Sequence, residues 1–142
     1  MTPDQAFQIA NTLVLPQWLL MGFAPRWFVT QFLVKSFIIP VLLAVLYAVY
    51  IFGGGPIDFA AFGTLEGVKG LFQTGGEGVV LSGWIHYLAF DLIAGSVVMR
   101  DAQERGIPHG WVVIPIFFCF MLGPIGILLY WLIRTGKIQK LS

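Results

Sequence analysis

Charge is what this sequence has least of. Its 142 residues include eight Lys and Arg and seven Asp and Glu, 11% of the chain, for a net charge of +1. An ordinary soluble domain carries about 25%. So few ionised groups cannot cover the surface of a soluble protein of this length, which excludes a soluble enzyme and a disordered tail. A nucleic-acid binder with a basic patch is excluded as well. Cysteine is nearly missing: Cys119 stands alone, so there is no disulfide framework and no redox compartment to infer. The two histidines, His86 and His109, are too few for a multi-histidine iron centre, and no metal or other cofactor is expected. No G-x-G-x-x-G and no G-x-x-x-x-G-K-[ST] occurs, which argues against a nucleotide fold. The apolar stretches hold no lysine for a retinal Schiff base. No internal repeat is visible, which speaks against a transporter. The first residues lack the Lys and Arg and the small-residue cleavage site of a signal peptide, so none is expected.

Apolar residues make up 58% of the chain, and the mean hydropathy is +0.85. No Asp, Glu, Lys or Arg occurs in 5–25, 36–57 or 110–133, stretches of 21, 22 and 24 residues. Each exceeds the roughly 18 residues that nominate a membrane-spanning helix. A fourth stretch, 78–99, interrupts its apolar run only with His86 and Asp91. The expected fold is all-α: a single transmembrane domain over 1–142, a four-helix bundle with spans at about 6–24, 37–52, 79–99 and 111–133.

Local signals place the boundaries. Thr2-Pro3-Asp4-Gln5 has the spacing of a capping box with proline in the first turn. The first span carries Gln8, Asn11, Thr12 and Gln17, and amides in hydrocarbon must find partners on other helices. Residues 26–35 read as a short connection with Trp27 and Phe28 at interface depth. Gly53-Gly54-Gly55-Pro56 ends the second span. In 57–77, Phe62, Leu65, Val68 and Phe72 recur at helical spacing, which predicts a short helix lying in the interface. Thr74 and Glu77 have capping-box spacing before the third span, which is expected to run on through the i,i+4 pairs Arg100/Glu104 and Asp101/Arg105 until Gly106. Pro115 and Gly123-Pro124 interrupt the fourth span, where Pro124 predicts a kink and robs the Phe120 carbonyl of its donor. Four spans put both termini on one side with Lys69, Arg134, Lys137 and Lys140, and Arg26, Lys35, Arg100 and Arg105 on the other. That even division gives no orientation.

Asp91 lies ten residues past Leu81, about 15 Å along a helix and so near the middle of a ~30 Å hydrocarbon slab. An acid there costs ~2.5–3.5 kcal/mol and usually marks a site, although it can also bond Asn11, Gln17 or Tyr87 and fix helix order. It must in either case face the bundle. His86 precedes it by five residues, about 140° around the helix, close enough to line another edge of one cavity. A neutral acid and a neutral imidazole there would serve as proton donor and acceptor. Trp84 and Tyr87 share the face of Asp91. With Trp111 and Phe120 they are expected to wall an apolar cavity open to lipid, with Asn11 and the break at Pro124 contributing polar groups. Ser82, Ala89 and Ser96 form a small-residue stripe suited to close helix packing.

Trp84-Ile85-His86-Tyr87-Leu88-Ala89-Phe90-Asp91-Leu92, then Arg100-Asp101-Ala102 and Gly123-Pro124-Ile125-Gly126-Ile127-Leu128-Leu129-Tyr130, resemble the abscisic-acid-deficient-four family. Gly63-Thr64-Leu65-Glu66-Gly67-Val68 is similar to its short bacterial members. The resemblance implies a four-span membrane protein acting on carotenoids, since the plant members are implicated in neoxanthin synthesis. The implied plant reaction turns a xanthophyll 5,6-epoxide into an allenic alcohol. That is a redox-neutral isomerisation, and His86 and Asp91 suit its proton transfers. The alternative is a non-catalytic carotenoid- or chlorophyll-binding subunit. Expected partners are a carotenoid or other isoprenoid lipid, membrane lipids and other membrane subunits, without nucleic acid. The expected location is a bacterial inner or photosynthetic membrane, or a plastid membrane.

Overall fold

The computed structural model describes residues 1–141, with side chains described as far as Lys137. The side chain of Lys140, counted above, lies outside them. The helices are α1 (Pro3–Phe23), α2 (Phe28–Ser36), α3 (Ile38–Gly53), α4 (Leu65–Thr74), α5 (Gly76–Glu104), α6 (His109–Met121) and α7 (Gly123–Leu141), and no strand occurs among the described residues. A single 3-10 turn, Phe59–Gly63, precedes α4.

α1 opens with the predicted capping box: the Thr2 hydroxyl accepts from the Gln5 N–H at 3.2 Å, and Gln5 Oε1 accepts from the Thr2 N–H at 3.0 Å. Residues 26–35, predicted as a connection, are helical from Phe28 onward. Nothing from Phe28 to Lys35 breaks a helix, and side chains of its first turn fold it onto the end of α1. The Thr30 hydroxyl donates to the Ala24 carbonyl (2.6 Å) and the Gln31 amide to the Pro25 carbonyl (2.7 Å). Phe37, at φ 56, separates α2 from α3. A straight helix through it would leave the Ser36 carbonyl facing Pro40, which has no N–H. The capping box at Thr74/Glu77 does not form. Thr74 still belongs to α4, where its hydroxyl donates to the Gly70 carbonyl (2.7 Å), and Gly75 alone precedes α5. Gly106, at φ 67, follows the end of α5, as the sequence predicts.

α1 and α5 run in the same direction. Trp84 Nε1 donates to Asn11 Oδ1 (2.9 Å), the Gln17 amide to Ser96 Oγ (3.0 Å), and the Gln103 amide to the Pro25 carbonyl (3.3 Å). Asn11 and Gln17 of α1 thus meet α5, as their cost in an apolar setting requires, although Gln17 Oε1 is buried without a hydrogen bond, and Gln8 and Thr12 are exposed instead. Trp18 packs over Gly95, where a Cβ would lie 2.5 Å from the indole ring. α3 runs the opposite way, with Tyr47 beside His86 and the Tyr50 hydroxyl donating to the Met1 and Thr2 carbonyls. One end of the bundle therefore gathers Thr2, Gly53 and Gly76, and the other gathers Ala24, Glu104 and His109. Ile85, Leu92 and Met99 of α5 form the middle of the core with Val14, Met21, Leu43, Val112 and Ile116.

The largest departure from the sequence reading is the fourth span. Residues 111–133 are not one kinked helix but a hairpin. Lys137 Nζ lies 4.5 Å from the centre of the Trp111 ring, whereas a continuous helix would set the two about 39 Å apart. Gly126 lies against Cys119 and Pro115, where a Cβ would come within 2.3 Å of the Cys119 nitrogen and 2.6 Å of the Pro115 carbonyl oxygen. The physical reason lies at Leu122. Its φ of −145° and ψ of 74° leave the helical region, its N–H closes α6 onto the Phe118 carbonyl, and its own carbonyl accepts from Ile125 and Gly126. Pro124 falls in the first turn of α7, where a missing N–H costs nothing. The proline starts a helix rather than kinking one.

The chain thus crosses the bundle three times, in α1, α2–α3 and α5. The α6–α7 hairpin enters from the second end, turns about halfway along α5 and returns. This corrects the expectation of four crossings with both termini on one side: Thr2 lies at the first end and Arg134 at the second. It also corrects the charge count. Lys35 lies beyond the ~24 Å rise of α3 from the first end. Among the described side chains, Arg26, Lys35, Arg100, Arg105, Arg134 and Lys137 therefore belong to the second half, and Lys69 alone to the first. Between the ends the surface is apolar, with Phe32, Val45, Val49, Val97, Ile114 and Phe117 exposed. Two helical stretches are long and apolar enough to cross a membrane, α2 and α3 taken together (Phe28–Gly53) and α5 (Gly76–Glu104).

Candidate functional site

α5 presents His86 and Asp91 to different neighbours. The His86 ring packs on Phe90 at 4.8 Å and on Tyr47 of α3 at 5.9 Å. It lines a pocket of about 340 Å³ between α3, α5 and the segment that carries the 3-10 turn and α4. Tyr47, Ile51, Phe62 and Phe72 form apolar walls, and Ser82 and Asp58 add polar groups. Gly83 lets α4 come close: a Cβ there would lie 2.8 Å from the Phe72 ring. Asp58 is held at the pocket because its Oδ1 accepts from the Ala60 N–H (3.0 Å) and caps the 3-10 turn.

Asp91 faces the hairpin tip and the bundle interior. It is 8% exposed, and a Cβ on Gly123 would overlap its Oδ1. Its Oδ2 is buried without a hydrogen bond. The Tyr87 hydroxyl, one turn earlier, donates to the Met121 carbonyl at the end of α6 (3.0 Å). The expectation of one cavity shared by His86 and Asp91 is therefore not met. Five residues turn a helix by about 140°, and here α3 covers one of those faces and the hairpin the other.

The remaining predicted residues divide. Trp84, Tyr87 and Asn11 stay together: Trp84 stacks on Tyr87 at 5.6 Å while its N–H is held by Asn11. Trp84 also lines a second pocket, of about 490 Å³, with Phe7, Phe72 and Glu77. Trp111 is not part of the site. It lies in the first turn of α6, 52% exposed, ~15 Å or more along the helix from the tip. Phe120 turns away from Asp91 onto Trp18 (5.4 Å) and lines a wholly apolar groove of about 320 Å³ between α1 and α6. Pro124 is exposed beside the tip and lines neither.

The sequence reading missed Tyr47 and Asp58. Asp58 had a local signal, a cap-type residue after Gly-Gly-Gly-Pro, but nothing in the sequence brought it to His86. It also missed a clamp at the second end. There Asp101 Oδ2 accepts from the Tyr130 hydroxyl and Arg105 Nε (3.0 Å) and lies 3.4 Å from Arg134 Nε. Partial burial would raise the Asp101 carboxyl, but the Tyr130 hydroxyl and the two guanidinium groups outweigh it and hold it below the usual carboxylate range. The predicted pair Asp101/Arg105 is formed, and the clamp ties α7 to α5. Among the described residues no three His, Cys, Asp or Glu side chains come together.

Comparison with known proteins follows the chain over most of its length. The family model described as ABA DEFICIENT 4-like matches residues 5–130. The chain is similar to Protein ABA DEFICIENT 4, chloroplastic, of Arabidopsis thaliana, 26% identical over 140 residues that cover 93% of this chain and 61% of that protein. It thus spans less than two thirds of the relative's length. No solved structure matches.

Proposed function

Because the chain belongs to the ABA DEFICIENT 4-like family, we propose that it is an integral membrane protein that modifies a carotenoid by redox-neutral acid/base chemistry. The substrate is a xanthophyll epoxide or a related cyclic carotenoid, as the resemblance to neoxanthin-synthesis proteins implies. In the epoxide case, a proton is given to the epoxide oxygen as its C–O bond opens, and a proton is taken from the neighbouring vinylic carbon. An allenic alcohol forms with no change in oxidation state.

The observation that carries this reading is the His86 pocket. Its volume of about 340 Å³ falls at the small end of ligand sites, roughly 300–1,000 Å³. That suits a ring end-group, with the polyene running out along the apolar surface. His86 is exposed within apolar walls, where an imidazole can exchange a proton with a bound ring. The membrane setting is supported by the apolar belt between the bundle ends and by the two helical stretches long enough to span. The test is expression in a host that makes epoxy-carotenoids, with pigment extraction and chromatography. Conversion is expected from the unaltered protein. His86→Ala should lower it by about 10²–10⁴-fold, the usual contribution of a general acid or base, while the protein still inserts and retains pigment. Conversion unchanged in His86→Ala refutes the assignment.

The apolar groove at Phe120 favours a second reading, a pigment-holding subunit without chemistry. A wall of Leu15, Trp18, Leu19, Phe23 and Phe117 can seat a polyene or a chlorophyll tail but offers no proton. Pigment that co-purifies chemically unchanged would decide for it.

A further inference from the structure

We infer that Asp58 is the catalytic partner of His86, completing within one pocket the proton exchange that the sequence had assigned to Asp91. This rests on the acid/base reading above and names its second group. Asp58 and His86 line the same pocket, whereas Asp91 lies on another face of α5, against Gly123. The chain delivers Asp58 by a fixed route. Gly55, at φ 102, turns the backbone after α3, and the Ala60 N–H then holds Oδ1 of a residue on the pocket lining. Tyr47 from α3 is the other titratable group on that lining; α4 and α5 add Phe72 and Ser82.

This juxtaposition suits the chemistry. In one turnover the donor loses a proton to the epoxide oxygen, and the acceptor gains one from the vinylic carbon. Substrate and product are isomers, so the enzyme ends one proton misplaced between its two groups and no proton is consumed. Resetting moves that proton back from acceptor to donor, across the pocket or by exchange with solvent, and two groups on one pocket allow the shorter route. Asp58 and His86 are both exposed and line one pocket towards the first end of the bundle, across which the proton can pass between them. Asp91 is 8% exposed and is not on the lining of the His86 pocket, so it does not share that route.

Asp58→Asn separates catalysis from structure, because an asparagine caps a helical turn as well as an aspartate does. In the carotenoid-producing host, Asp58→Asn should lower conversion about 100-fold or more with protein level and retained pigment unchanged. Asp58→Ser, which also keeps a cap, should do the same. Wild-type conversion in Asp58→Asn overturns the inference, as does loss of conversion in Asp91→Asn alone. A second measurement does not depend on turnover. In a Cys119→Ser background, Asp58→Cys with His86→Cys should be cross-linked by a short bismaleimide. Absence of the cross-link, when each cysteine alone reacts with a monofunctional maleimide, overturns the shared pocket. If the pair cross-links as expected but the unaltered protein converts no carotenoid, the functional reading fails and the geometry stands.

Discussion

Adding one methyl group at Gly126 should pry the α6–α7 hairpin apart. The Cβ of Gly126→Ala would lie 2.3 Å from the Cys119 nitrogen, 2.5 Å from its sulfur and 2.6 Å from the Pro115 carbonyl oxygen. Favourable non-bonded contacts begin near 3.5–4.0 Å, so α7 must retreat from α6 by roughly 1 Å. Two of the three obstructing atoms belong to the backbone of α6, and no rotamer change can move them. Overpacking of this kind costs about 1–3 kcal/mol, and a clash with backbone belongs at the upper end. At about 2–4 °C per kcal/mol for chains near this length, the melting temperature should fall by about 6–12 °C. Gly136→Ala on the same helix is the control: nothing lies within 4 Å of its Cβ, and removing a glycine from a helix is worth about 0.5–1 kcal/mol. The assay heats the protein in detergent micelles and reads the fraction that stays monodisperse by size-exclusion chromatography. If Gly126→Ala melts with the unaltered protein, α7 does not fold back against α6 and the hairpin is refuted.

The bundle's two ends make a second prediction. With Lys and Arg gathered at the Arg100–Arg134 end, the positive-inside rule places that end in the cytoplasm of a bacterial host and the amino terminus on the other side. Reporter fusions after Met1 and after Arg134 should report opposite compartments; the same compartment for both would restore a four-span topology. The clamp at Asp101 predicts a pH effect. Its carboxyl is held below the usual range, so its contribution to stability is complete above the ordinary carboxylate value of about 4 and is lost as pH falls through the depressed one. Tyr130→Phe removes one of the groups that hold it down, so its melting temperature should be lower at neutral pH and should converge on that of the unaltered protein as the pH drops below about 4. A deficit that persists undiminished in acid would mean that Tyr130 acts by packing alone.

The sequence by itself determined the helical class, the apolar belt and most helix boundaries, because these follow from properties of neighbouring residues. Charge-free runs make an apolar surface between the bundle's ends, Thr2 and Gln5 cap a helix over one turn, and Gly106 ends one where it stands. It also called for Asn11 and Gln17 to find partners across the bundle, since an unpaired amide is costly in an apolar setting; both do, though Gln17 Oε1 stays buried without a bond. It placed Asp91 against the bundle for the same reason. What only the tertiary structure decided was direction and company. Gly123-Pro124 is compatible with a kink or a reversal, and the difference is made by Gly126 meeting Cys119 and by Tyr130 meeting Asp101, contacts between residues apart in sequence. That reversal moved the carboxyl-terminal charges to the other end and gave Asp91 to the hairpin. His86 and Asp58 stand 28 positions apart, and no periodicity links them. The turn at Gly55 and the packing of α3 on α5 bring them to one pocket, because a loop's path is set by what its ends pack against rather than by its own residues.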